Sequence, residues 1–166
     1  MEEKIRNGIR IRKTVEDDAG LIAEIENDPE VKKFLGGPTR RSEAQYRESF
    51  AKMQKPYEHL TIDSLANNKP IGRCGLIVSE NESEIHIVLA KQYWKQNLGS
   101  EVALALAQLS AERYPEKMLI AKVHPDNVAA ISILKNLGMA QSGTINKLGS
   151  YDNGFLRFEK GEEVRK

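Results

Sequence analysis

Residues 84–103 read EIHIVLAKQYWKQNLGSEVA, passing from an alternating apolar run through a polar loop into an Ala- and Leu-rich segment. Successive side chains of a strand point to opposite faces, so Ile85, Ile87 and Leu89 share one face and Glu84 and His86 the other. From Leu98 to Arg113 there is neither Gly nor Pro after Gly99, which predicts a helix. The first turn of a helix carries backbone N–H groups without internal partners and the positive end of the dipole, a ready place for an anion. Gly99 permits close backbone approach, and Asn97 is the non-glycine residue best able to take a positive φ. Alone, the stretch is weak evidence, since a strand-loop-helix with one glycine is a common connection.

Outward from it, the chain alternates between strand and helix signals. Ile9 and Ile11 alternate with Arg10 and Arg12 in a first strand. Asp17 and Asp18 stand in the first turn of a helix with Leu21, Ile22 and Ile25 at helical spacing, ending near Asn27-Asp28-Pro29. A short helix through Val31, Phe34 and Leu35 is predicted to end at Gly36-Gly37-Pro38. Ser42, with Gln45 three residues on, opens another that runs to about Lys55. Leu60–Ala66 and Ile71–Val78 form a predicted antiparallel hairpin, and Met118–Val123 a later strand. Asn127–Asn136 reads as a helix closed by Leu137-Gly138, followed by a strand pair, Met139–Ile145 with Tyr151–Glu159. The order predicts a mixed α/β (α+β) single domain with one sheet.

Composition narrows the class. At 166 residues the chain fits one domain, and 40 % hydrophobic with 30 % charged residues argues against disorder. No apolar run approaches the roughly 20 residues of a membrane helix, so no membrane is expected. The opening residues lack a signal peptide's apolar core, which points to the cytoplasm. Cys74, the only cysteine, excludes an intrachain disulfide and a cysteine-based metal site, and its apolar surroundings predict a buried thiol. His59, His86 and His124 show no ligand spacing, so no metal is expected. A net charge of +1 gives no reason to expect nucleic acid.

A second stretch, VHPDNVAAISILKNLGM at residues 123–139, takes a strand into an apolar helix that begins at Asn127. Together the two stretches resemble the general N-acetyltransferase (GNAT) superfamily. Its acyl-CoA loop, Gln/Arg-x-x-Gly-x-Gly/Ala, falls on Trp94-Lys95-Gln96-Asn97-Leu98-Gly99. Its later signature, an Asn, a small-residue helix and Leu-Gly-Phe, falls on Asn127, Ala130 and Leu137-Gly138-Met139. Glu26-Asn-Asp-Pro-Glu-Val31 and Glu84-Ile-His-Ile-Val-Leu-Ala90 resemble the branch of ribosomal-protein N-terminal and spermidine acetyltransferases.

The resemblance implies a mostly antiparallel sheet of about seven strands flanked by helices, with acetyl-CoA as co-substrate. It implies transfer of acetyl to a primary amine on a small molecule, a polyamine or a protein N-terminus, and leaves a homodimer open. Leu89, Lys95, Gln96, Asn97, Leu98, Gly99, Ser100, Asn127, Ala130 and Leu134 would then hold CoA. Glu84 and His86 are the candidates to deprotonate the amine, unless they are solvated positions of a half-exposed strand. Two departures stand out: Asn97 replaces a glycine, and Leu134 stands where many relatives carry a tyrosine acid. They keep a second reading open, a non-catalytic acyl-CoA binding or sensing module; an interaction domain that binds no CoA is a third. Glu24, Glu26, Asp28 and Glu30 form an acidic stretch that either draws a cationic acceptor or is a charged helix surface.

Overall fold

The computed structural model describes residues 4–35, 40–52, 57–144 and 154–161. In chain order these contain β1 (Lys4–Arg6), β2 (Ile9–Lys13), α1 (Ala19–Asn27), α2 (Pro29–Lys32), α3 (Glu43–Lys52), β3 (Tyr57–Ser64), β4 (Lys69–Val78) and β5 (Glu82–Leu89). There follow α4 (Leu98–Arg113), β6 (Met118–Val123), α5 (Val128–Asn136), β7 (Met139–Thr144) and β8 (Leu156–Lys160). All eight strands lie in one sheet of order β1-β2-β3-β4-β5-β6-β8-β7. Its neighbours are antiparallel except β5 and β6. The expected boundaries at Gly36-Gly37-Pro38, Lys55, Ile145 and Tyr151 lie outside the described residues.

One strand exceeds the expected count. Asn7 and Gly8, at φ 42° and 80°, turn β1 back onto β2. A two-residue Asn-Gly loop favours this reversal because both positions need positive φ, so the signal was present in the sequence.

The sheet has an apolar and a polar face. Ile9, Ile11, Leu60, Ile62, Cys74, Leu76 and Ile85 project from the first, where Val102, Leu106 and Leu109 of α4 close over them. These α4 residues recur at helical spacing, so one stripe of the helix meets the sheet. Cys74 is buried as expected, and its burial pushes the thiol pKa up.

The polar face lies under α1 and α3, which pack together through Ala19, Ile22, Ala23 and Tyr46. Asp18 was expected as a first-turn charge but is buried there instead. Its carboxylate accepts bonds from Arg12 (2.8 and 3.0 Å), the Val15 amide (2.9 Å) and the Thr61 hydroxyl (2.9 Å). Burial works to raise its pKa, but these donors outweigh it and hold the carboxyl below its ordinary value. Arg12 also reaches Asp63, which ties β2 to β3. At α3 the predicted capping box is present: the Ser42 amide donates to Gln45 Oε1 (2.8 Å) and the Gln45 amide to Ser42 Oγ (3.1 Å).

Close strand approach constrains β4 at Gly75, where an added Cβ would lie 1.8 Å from the Glu58 carbonyl oxygen of β3. Backbone cannot yield there without breaking the ladder. Gly75→Ala is therefore expected to destabilise the fold by about 1–3 kcal/mol, read by urea denaturation with unchanged m-value.

Candidate active site

β5 and β6 pair from Glu82 opposite Met118 to Ile85 opposite Ala121. Beyond that pair β5 continues to Leu89 and β6 to Val123, so two parallel strands part and open a fork. Across its base, Glu84 of β5 meets Lys122 of β6 at 3.3 Å, an ion pair beside the last paired residues.

The loop leaving β5 makes a tight turn at Lys91–Tyr93 and reaches α4 through Trp94–Asn97. Lys95 and Asn97 both take the left-handed conformation, φ 63° and 62°. Asn97 thus adopts the backbone that a glycine would supply, and its side chain makes no capping bond. The first helical bond runs from Glu101 N–H to Asn97 C=O, which leaves the Leu98, Gly99 and Ser100 amides at the loop as anion donors. Successive turns of this kind make a concavity of N–H groups.

The candidate residues differ in exposure and packing. Lys95, Gln96 and Asn97 are exposed, whereas Leu98 is buried in the main core. Gly99 is half-buried, and a Cβ there would meet Ile133 Cδ1 of α5 at 3.0 Å. Its bareness lets α4 approach α5. The Leu89 carbonyl oxygen accepts from the Trp94 indole N–H at 2.9 Å. Asn127 caps α5 by accepting from the Ala130 amide (3.2 Å), and Ala130 packs against the core. Leu134 is 5 % exposed and packed in the main core, where a tyrosine ring would strain its neighbours.

Glu84 and His86 do share the polar face, as alternation required. His86 lies opposite Gly75, which in turn lies opposite His59, so the two imidazoles flank a glycine across three strands. Burial, then the charge of Arg73, then His59 depress the His86 pKa from 6.5 to about 3. Burial and Arg73 also lower that of His59. Both rings are therefore neutral at pH 7.

Arg73 was not anticipated. Its guanidinium grips the buried carboxylate of Glu26, with Nη2 to Oε1 at 2.9 Å, and the Tyr46 hydroxyl donates to the same oxygen at 3.0 Å. Burial and the Glu26 charge push the Tyr46 pKa up to about 12. Glu26 is thus withdrawn from the acidic stretch, a correction to that reading: charge at 4 % exposure persists only when paired. Glu24 and Asp28 remain on the wall of a cleft of about 340 Å³ that also meets Leu21, Ile71, Ala90 and Tyr93. The separation of Glu26 from Arg73 along the chain left no local signal for their pairing.

A sequence model described as acetyltransferase (GNAT) domain matches residues 9–140. The chain belongs to the GNAT acetyltransferase family. The GNAT chain is 24 % identical over 157 residues to the uncharacterized N-acetyltransferase p20 of Bacillus licheniformis, covering 87 % of this chain and 86 % of that one. Its fold is similar to that of the ribosomal-protein-S5-alanine acetyltransferase of Vibrio fischeri, with TM-score 0.83, 14 % identity and all of both chains covered. It is also similar to spermidine N-acetyltransferase of Vibrio cholerae, solved with CoA and spermine: TM-score 0.81, 13 % identity, 96 % and 99 % of the two chains covered. Among the described residues of this GNAT domain there is no cluster of potential metal ligands and no helix long and apolar enough to cross a membrane.

The neutral His86 has a measurable consequence. Its folded pKa lies below its unfolded value, so between about pH 6.5 and 3 the unfolded chain binds more protons and stability falls as pH falls. His86→Asn should flatten this acid limb by up to about 1.4 kcal/mol per pH unit, measured by denaturation at a series of pH values. An identical slope in both proteins would show that His86 titrates normally.

Proposed function

We propose that the chain is an acetyl-CoA-dependent N-acetyltransferase acting on a primary amine by direct attack, without a covalent enzyme intermediate. The fork between β5 and β6, with the α4 amides behind a doubly left-handed loop, carries this reading. In it the CoA pyrophosphate rests on the amides of Leu98, Gly99 and Ser100, with Lys95, Gln96 and Asn97 around it. Pantetheine lies along the fork edge toward Leu89, and Asn127, Ala130 and Leu134 support the α5 side.

The neutral amine adds to the thioester carbonyl, the C–N bond forms, and the C–S bond breaks to release CoA thiolate. A thiol of pKa near 8.5 leaves tolerably as thiolate, so an acid at position 134 is dispensable. The acceptor ammonium loses one proton to solvent before attack, and the second, from the adduct nitrogen, passes by water to the polar face. Of the two candidates, Glu84 is engaged with Lys122, while His86 lies just past the last β5–β6 pair with its ring unprotonated. A ring held neutral by burial and by Arg73 takes a proton only in passing and hands it to solvent. In that case kcat/KM follows the amine's own ionisation and shows no limb near pH 6.5. Glu24 and Asp28 on the adjoining cleft favour arrival of a cationic acceptor.

The loop conformation supplies the direct test. Asn97→Val, whose branched side chain resists positive φ, should raise the CoA dissociation constant at least about ten-fold, whereas Asn97→Gly should preserve it. Calorimetric titration of both folded variants reads this, and equal affinities would remove the pyrophosphate from the α4 amides. Release of free CoA with an amine panel tests transfer itself; CoA binding without turnover of any amine would favour the sensing module.

A further inference from the structure

Four aromatic rings stand in a row at the open end of the fork, each from a different segment. Trp94 follows β5, His124 follows β6, Phe34 comes from the turn after α2, and Phe155 precedes β8. Trp94 and Phe34 have centroids 6.1 Å apart, Phe34 and His124 5.8 Å, and His124 and Phe155 5.4 Å. Interplanar angles of 47°, 68° and 76° make every contact tilted or edge-on, the arrangement that aromatic quadrupoles prefer.

Two polar atoms of the row are already engaged. The Trp94 N–H donates to Leu89, and His124 Nδ1 accepts from the Asp126 amide at 3.1 Å. The row therefore presents mainly ring carbon at half-buried positions, with Phe155 buried behind it. Phe34 is open enough for the primary ammonium of Lys33 to lie 5.0 Å from its centroid. Tyr93, beside Trp94, lines the cleft that carries the two carboxylates Glu24 and Asp28 and one cation, Lys69, so an apolar wall and a net acidic wall flank the same strand end.

We propose that Phe34, Trp94 and His124 form the acceptor wall and select an amine borne on a short chain that ends in an aromatic ring, an arylalkylamine. This rests on reading the fork as the place of acetyl transfer. The ligand ring extends the edge-on row, and its ammonium faces the carboxylates of the cleft. A small hydrophilic amine would leave the half-buried rings wet and gain nothing from them.

Phenethylamine and ethylamine differ by the phenyl group and serve as probes. Trp94 is the only tryptophan in the chain, so its emission reports binding at the row without any requirement for turnover. With CoA present, phenethylamine should change the emission saturably and bind about ten-fold or more tightly than ethylamine. Phe34→Ala should abolish that preference through the KM and the binding constant, while CoA affinity stays unchanged. Phe34→Leu, which keeps apolar bulk, should retain part of it. Equal binding of the two amines by the wild type, or an unaltered preference in folded Phe34→Ala, overturns the proposal. Turnover of ethylamine or polyamines without aryl preference sinks the wall and leaves the transferase; phenethylamine binding without acetylation of any amine sinks the transferase and leaves the wall.

Discussion

Parallel pairing of β5 with β6, in a sheet otherwise antiparallel among the described strands, forces the chain to cross back over the sheet before β6 begins. A hairpin cannot make that connection; a helical crossover can, and α4 is that crossover. Its first turn must then lie at the end of β5 where the chain has just left the sheet, so the free amides of α4 and the parting strands share one edge of the molecule. The loop between them reverses direction in few residues, which is why Lys95 and Asn97 both carry positive φ.

The two sheet faces divide the remaining work by chemistry. Against the apolar face, α4 and α5 bury Leu98 and Leu134, and bare Gly99 lets Ile133 of α5 approach the first turn of α4. On the polar face, buried charge is retained only because each group is paired: Asp18 and Asp63 by Arg12, Glu26 by Arg73 and Tyr46. Such pairs recover desolvation by geometry more than they add stability, but they place a fixed positive charge beside His59 and His86. The neutral imidazoles follow from burial first and from that charge second.

Periodicity and caps were read from local sequence because local forces decide them. Leu98–Arg113 and Met118–Val123 have the bounds their patterns predicted, and the Ser42–Gln45 box lies where the spacing put it. The Asn7-Gly8 hairpin was equally local, although it was not part of the expected strand count. The resemblance of residues 94–99 and 127–139 located the family, since a loop register and a helix cap are properties of neighbouring residues.

By itself the sequence determined the order of strands and helices, the two faces of β5, the buried Cys74 and the capacity of Asn97 for a left-handed turn. Each depends on spacing of a few residues or on one residue's own backbone preference. Only the tertiary structure decided that Glu26 is buried by Arg73, that Glu84 meets Lys122, that Gly99 faces Ile133, and that Phe34, Trp94, His124 and Phe155 meet in one row. These contacts join residues distant in the chain, and their energies depend on burial and distance, neither of which a local pattern specifies.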